Sequence, residues 1–491
     1  MSDTRAALPS RESTVRPESS ESIVSEPENE PGDTLNRPAG LAAGSLGLAE
    51  SLVMGVAGTA PAFSVAAATT TLIIAVGVLA PASLLYCGLI MFGTALAFRH
   101  LNKSDPNAGA SFAWVSRAFG PVLGFFAGWS VLITQAVSMV SGTVPAATAT
   151  LSLVAPAWVS SVTAVTIVAA AWVIIISAVT IKGIKLASYV QVMLTAIEVI
   201  LLIIIMVTAI VRFWDHPAHT FSLRWFSAAE FTPRLFATGA LTAVFVLWGW
   251  DVTLNLNEET RDAHDAPGLA VMMSTLVVML LFVGSAVACL LALTDAEIAA
   301  AGTNVVQAVA DKLFPRPWSY LAVLAVMLST IGTLEASILT FTRTMYAKSR
   351  SNALHSRYSR LHPTWRTPWV ASVTLLAISL ALVLTASFLP TIGTIMRDAV
   401  NAVGFQAALY YCLASFACAW NHRDSLRDGA VAFVLHVLWP LLSGLFLGFI
   451  AIYSIPTFDL ATNLIGLGGI LIGVVPLLLN RRRVSVALRN L

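Results

Sequence analysis

The stretch Met54-Gly-Val-Ala-Gly-Thr-Ala-Pro61 interrupts an apolar run that extends over about residues 46–78. A second interruption, Val246-Leu-Trp-Gly-Trp-Asp251, lies inside the run at about 236–257. In lipid every backbone N–H and C=O has to be paired, so a helix broken at mid-membrane is costly. It persists where the freed groups line a cavity or hold something. Counted along the chain, the breaks fall in the first and sixth apolar runs. Two breaks at corresponding places in two halves of a membrane protein point to a binding site where they meet.

The composition agrees with lipid as the main solvent. The chain has 491 residues and a mean hydropathy of +0.80, with 57% hydrophobic and only 11% charged residues. A soluble domain carries about 25% charged residues. The net charge of +2 excludes nucleic-acid binding through bulk positive charge. The four cysteines, Cys87, Cys289, Cys412 and Cys418, sit in apolar runs without metal-ligand spacing and read as small apolar packers. No metal and no cofactor is implied. Residues 1–42 are rich in Ser, Pro and Glu and lack the apolar core of a signal peptide, so they read as a disordered cytoplasmic tail.

A span needs roughly 20 mostly apolar residues. Twelve runs qualify, at about 45–78, 80–98, 110–150, 157–180, 186–211, 234–258, 268–293, 318–347, 368–389, 393–419, 429–453 and 460–480. The third is too long for one straight helix, and Gly120-Pro121 is expected to split off a short interfacial entry. Lys and Arg in short loops set the orientation. With the N-terminus inside, sixteen of them fall on the cytoplasmic side, the C-terminal Arg481, Arg482, Arg483 and Arg489 included, against five outside. Both termini are expected in the cytoplasm.

Four segments carry a family resemblance. Pro106-Asn-Ala-Gly-Ala-Ser-Phe112, with Ala118-Phe-Gly-Pro121 and Gly124-Phe-Phe-Ala-Gly-Trp129, resembles the third-helix signature of amino-acid permeases. Leu247-Trp-Gly-Trp-Asp251, with Glu258 and Glu259 following, resembles the sixth. Ser329-Thr-Ile-Gly-Thr-Leu-Glu335, with Arg343, Tyr346 and Ala347, resembles the eighth. Leu361-His-Pro-Thr-Trp-Arg-Thr-Pro368 is similar to the loop before the ninth. The chain thus resembles the amino acid–polyamine–organocation superfamily over about residues 43–420. The resemblance implies an all-α polytopic membrane protein with a leucine-transporter-like core of two inverted five-helix repeats. These would cover 43–211 and 212–419, with helices 1 and 6 discontinuous and two further helices within 420–491. It implies a secondary active transporter that moves an amino acid or related amine across the plasma membrane by alternating access, coupled to protons or to exchange.

The resemblance also implies a site. The substrate carboxylate would meet N–H groups of the first break, at Gly55, Val56, Ala57, Gly58 and Thr59. A half-helix N-terminus offers unpaired donors and a positive dipole end to an anion. Pro61 suits the first turn of the resumed helix. The ammonium would meet freed carbonyls around Phe245, Val246, Trp248 and Gly249. Phe245 holds the place of an aromatic that caps the substrate in some relatives. Trp248 lies in this stretch but reads, like Trp250, as an anchor beside the glycine rather than a ligand.

Asp251 is an expensive mid-membrane carboxylate. It either carries the coupling proton, pairs with the distal amine of a basic substrate, or makes a fixed hydrogen bond. Glu198 is a second intramembrane acid. Some proton-coupled relatives carry a lysine about here, so this chain departs from that pattern, and Glu198 is a candidate proton carrier. Glu335 also departs from the family, and Arg397 is a possible partner for one of these acids. Ser329, Thr330 and Thr333 either help bind sodium, the less favoured coupling ion, or back-bond within their helix. Glu258 and Glu259 are expected to latch an intracellular gate with arginines such as Arg343, with Glu50 joining them. Two other classes remain open. A membrane-embedded enzyme lacks any catalytic motif here. A non-transporting amino-acid sensor on the same fold usually needs a signalling domain.

Overall fold

The computed structural model describes residues 40–388 and 392–479. The predicted tail up to residue 39, the C-terminal arginines and the Arg397 side chain lie outside the described residues. Leu41, inside the stretch expected as tail, is buried against Ala108 and Tyr346, so packing begins before the tail's expected end at residue 42.

The first run folds as α1 (Leu48–Gly58), a two-residue break, and α2 (Pro61–Val76). Next comes α3 (Ala80–Ser104). The third run divides at Gly120, whose φ of +87° suits glycine, into α4 (Ser111–Phe119) and α5 (Pro121–Val154). The split expected at Gly120-Pro121 is therefore present. α6 (Val162–Ile181) and α7 (Ile184–Phe213) follow. The sixth run is α8 (Pro233–Val246), an unwound stretch, and the short α9 (Val252–Asn255). The chain continues through α10 (Ala266–Ala292), α11 (Asp295–Ala301), α12 (Val305–Leu313), α13 (Leu321–Arg350), α14 (Trp369–Ala386) and α15 (Ile392–Asn421). The last two runs each contain a π-helical turn, at Val434–Leu438 and Leu464–Gly468.

Ten helical stretches are long and apolar enough to cross a membrane, among the described residues. One of them, Leu48–Ser104, holds α1, α2 and α3 in series, and Pro233–Val246 is a shorter apolar helix outside the ten. The sole β-type contact among the described residues is a bridge between Leu46 and Thr260. α11 and α12 were not visible as elements in the hydropathy. Thr294 and Glu297 start α11 with a reciprocal capping box.

Burial separates centre from rim. Of the apolar window in α15, 83% is buried, against 22% in the last stretch, Leu460–Leu479. Broad apolar faces of α6, α7 and the C-terminal helices, with Ile174, Ile204, Phe449 and Ile472 exposed, suit contact with lipid tails. The two broken runs pack among α3, α7, α10, α13 and α15, so both breaks are enclosed.

Candidate functional site

The first break is two residues long. Ala60 has φ +47°, which turns the chain between the half-helices, and Pro61 opens α2. Thr59 N–H donates back to Val56 O (3.1 Å) and Ala60 N–H to Ala57 O (3.0 Å). Gly55, Val56, Ala57 and Gly58 thus form the last turn of α1, and a helix's last turn presents carbonyls rather than N–H groups. The donors expected at these positions are displaced to the first turn of α2. There Phe63 N–H donates to Ser329 Oγ at 3.3 Å. Ala57 O accepts from Thr333 Oγ1 at 3.0 Å. Glycine spacing locates such a break without saying which residues close one half and which open the next.

In the sixth run α8 ends at Val246, and residues 247–251 are unwound around Gly249, whose φ is +112°. Phe245 O accepts from Trp248 N–H in the final turn. The two breaks touch backbone to backbone. A Cβ on Gly58 would stand 2.1 Å from Gly249 O, and one on Gly249 would stand 2.1 Å from Gly58 O. Only two glycines permit that approach.

Asp251 is buried behind this contact. Tyr411 donates to its Oδ1 at 2.8 Å and Tyr410 to its Oδ2 at 3.0 Å. Tyr410 accepts from Trp248 Nε1 (2.6 Å), and Tyr411 accepts from Gly249 N–H (3.4 Å). Trp250 stacks on Tyr411 with 4.9 Å between ring centroids. Both Asp251 oxygens are therefore held by α15, and the carboxylate ties the unwound stretch to that helix. Tyr410 and Tyr411 had no signal in the sequence beyond being polar aromatics within an apolar run.

A central void of about 20 Å³ lies between the breaks, α5 and α13. That is room for a single water. Of the expected substrate contacts, Gly58, Thr59, Phe245 and Trp248 line it, with Phe63, Ser64, Ser138, Ser141, Thr330 and Thr333. The other five lie elsewhere. Gly55 packs on Ser274 and Thr253, Gly249 meets Gly58, and Val246 borders a separate small void. Val56 and Ala57 are buried in α1, outside the void's lining. The serines of α5 were missed, because small polar residues in a long apolar run carry no distinctive spacing. A cavity of about 700 Å³ opens on the far side of Phe63, between α2, α5 and the segment of α12 that carries Asp311, with Arg316 at its wall. Phe63 lines both spaces.

Glu198 is buried on α7 beside Ser329, and its Oε2 has no hydrogen-bond partner. Thr330 back-bonds to Val326 and Met327 within α13. Ser329 and Thr333 reach the first break, and Thr333 Oγ1 also back-bonds to Ser329 O at 3.2 Å.

At the predicted cytoplasmic end, Arg343 holds Glu259 in a buried fork, Nε to Oε2 at 2.8 Å and Nη2 to Oε1 at 3.0 Å. Glu259 O accepts from Ser45 and Leu46 N–H, just before α1. Arg350 pairs with Glu258, whose Oε1 also accepts from Ala108 N–H. Asn255 and Asn257 donate to the same loop, at Ala108 O and Asn107 O. Burial holds the Asp105 carboxyl above the usual carboxylate range, against the pull of Arg117 at 2.9 Å and with a push from Glu258. Glu50 takes no part in these pairs; it accepts from Gly47 N–H and caps its own helix. Lys348 is fully buried. Its Nζ donates to Phe125 O at 2.8 Å and lies 3.8 Å from the Phe125 ring centroid.

A family model described as amino acid permease matches residues 46–475. The human large neutral amino acids transporter small subunit 2 is 24% identical over 378 residues, covering 75% of this chain and 67% of that protein. The serine/threonine exchanger SteT of Bacillus subtilis is 24% identical over 72% of this chain and 78% of its own length. The low-affinity putrescine importer PlaP of Escherichia coli K12 is 24% identical over 63% of this chain and 69% of its own.

Proposed function

This chain belongs to the amino acid permease family, and from that membership we propose that it carries a zwitterionic amino acid or a related amine between the two broken helices. It is a multi-pass transporter and not an enzyme. The observation that carries the site is the Gly58–Gly249 contact, which brings the end of α1, the start of α2 and the end of α8 to one small void. Half-helix ends of opposite polarity suit a carboxylate and an ammonium on one molecule. Phe245 and Phe63 bound the void with apolar surface.

The frame we propose has twelve crossings, with α1 and α2 as one, α8 with α9 as another, and the five-helix repeats related by inversion. Both termini face the cytoplasm of a plasma-membrane transporter. The Arg343–Glu259 and Arg350–Glu258 pairs then close the inner side, while the 700 Å³ cavity opens outward. The void is too small for an amino acid, so Phe63 has to move before substrate enters. Asp251 and Glu198 are the candidate coupling groups. The two tyrosine hydroxyls favour a holding role for Asp251, and the unpartnered Oε2 of Glu198 favours proton binding there. Protons are preferred to sodium because Thr330 spends its hydroxyl within its own helix.

The relatives' names set the first test. Purified protein in proteoliposomes is offered labelled leucine, serine and putrescine, with Gly58→Ala as the comparison. Saturable uptake of at least one, lost in the variant, supports the reading. Binding of a substrate without any uptake would make the chain a sensor instead.

A further inference from the structure

Among the described residues, four buried side-chain atoms on α7 and α13, two helices that pack along a seam, have no hydrogen-bond partner. They are Gln191 Oε1, Glu198 Oε2 and both carboxyl oxygens of Glu335. All three residues are at most 1% exposed. The spacing builds the seam. Gln191, Thr195 and Glu198 are four and three residues apart and share one face of α7; Ser329, Gly332 and Glu335 are three apart on α13. The two faces meet at two levels. Glu198 lies beside Ser329, and a Cβ on Gly332 would stand 2.4 Å from Gln191 Nε2. Gln191 Nε2 donates to Thr195 Oγ1 at 2.9 Å. Glu335 thus lies one turn beyond the Gln191 level and about 9 Å along the helix axis from Ser329.

Among the described residues no charged group compensates Glu335. On α7 the ionisable side chains near the seam are Glu198 and, at the exposed cytoplasmic end, Lys185. α6 is followed by the exposed Lys182, and α5 and α14 carry no charged residue. Glu50 of α1 caps its own helix. On α13 itself, Arg343 is held by Glu259 and Lys348 by Phe125. An ionised carboxylate with no donor and no cation is untenable in such surroundings, whereas a protonated one removes the charge. Its O–H then needs one acceptor, and Gln191 Oε1 is a buried acceptor without a donor on the same seam.

We propose that Glu335 is a proton-binding group of this transporter, joined to Glu198 through the Gln191 and Thr195 side chains. A carboxylate of the pair takes one proton from water at one face, forming its O–H bond. It gives that proton up at the other face after the helices rearrange. The relay reaches the substrate void through Ser329, which holds Phe63 N–H at the start of α2. Loading the acids and closing the first break are then one event. The inference rests on the transporter reading; it adds which groups bind the coupling ion and makes that ion a proton.

The test measures two rates on the same vesicles: accumulation of the transported substrate under an inward proton gradient, and counterflow exchange without one. For Glu335→Gln the ratio of accumulation to counterflow is expected to fall about tenfold or more. Glu335→Asp, which keeps a carboxyl, is expected to restore part of that ratio with a shifted pH profile. A Glu335→Gln ratio equal to wild type overturns the inference while leaving the transporter reading intact. So does wild-type accumulation that follows a sodium gradient and ignores the proton gradient. An Asp variant as uncoupled as the Gln variant makes Glu335 structural and also overturns it. Wild-type protein that moves none of the three labelled probes overturns the transporter reading and the inference with it.

Discussion

Gly58 and Gly249 pack backbone against backbone, so closely that a Cβ on either would stand 2.1 Å from the carbonyl oxygen of the other. The obstacle is main chain, not the end of a flexible side chain, so neither residue can yield without moving a half-helix. Gly249 adds a φ of +112°, which a side chain strains further.

Gly58→Ala and Gly249→Ala are therefore expected to cost about 1–3 kcal/mol or more, the range for forced overpacking. Uptake should be lost in both. Gly468→Ala, where a Cβ meets nothing within 4 Å, is the control. Melting temperatures of purified protein, read beside uptake, check this. Wild-type uptake by Gly58→Ala would mean the breaks do not have to touch.

The Arg343–Glu259 fork is buried on both sides, at 2% and 0% side-chain exposure. Removing one partner leaves an unpaired buried charge, typically costing about 3–5 kcal/mol. Arg343→Ala and Glu259→Ala should each destabilise the protein and shift it toward an inner-open state. The double variant should be milder than the sum. Labelling of an Ala57→Cys variant by a thiol reagent from the cytoplasmic side reads the shift. The native cysteines are all buried and suit a low background. Strictly additive losses would refute coupling across the pair.

Asp251→Asn tests whether that carboxylate holds the break or carries the proton. With both oxygens taken by tyrosine hydroxyls, uptake is expected to fall by a similar factor at every pH. Tyr411→Phe, which also loses its contact with Gly249 N–H, should follow the same pattern more weakly. A pH profile that flattens in Asp251→Asn alone would assign coupling to Asp251.

Phe63 separates the large cavity from the central void. Phe63→Ala should join the two. A cysteine placed at Ser141 is then expected to react about tenfold faster with an impermeant reagent added outside, tenfold being about 1.4 kcal/mol of lost occlusion. Unchanged labelling would show that another group closes the path.

Lys312 pulls the Glu297 carboxyl down to about 2, with help from the Thr294 N–H. Because the folded value is depressed, the stabilisation is present above the usual glutamate range, near 4.3. It is lost as pH falls through about 2. The α11 start, read by the protection factors of its amides (exchange corrected for its intrinsic pH dependence), should stay unchanged from pH 5 to 8 in wild type. Opening of this cap within that range would contradict the pairing.

The sequence alone determined the solvent, the broken first and sixth runs, and the split at Gly120-Pro121. These follow from local facts, since hydropathy, proline and glycine act within a few residues of themselves. It also picked out Gly58, Thr59, Phe245 and Trp248, which line the central void. What it could not assign was partnership. Asp251 read as the most informative charge, yet its two tyrosines come from more than 150 residues away. Glu50 read as part of a gate and caps its own helix. Glu335 looked like one acid among three until packing left it, unlike Asp251, with neither oxygen satisfied. Whether a buried carboxylate is anchored or waiting for a proton depends on which helices face it. That is set by the tertiary structure, because in lipid only a neighbouring helix can supply what water would.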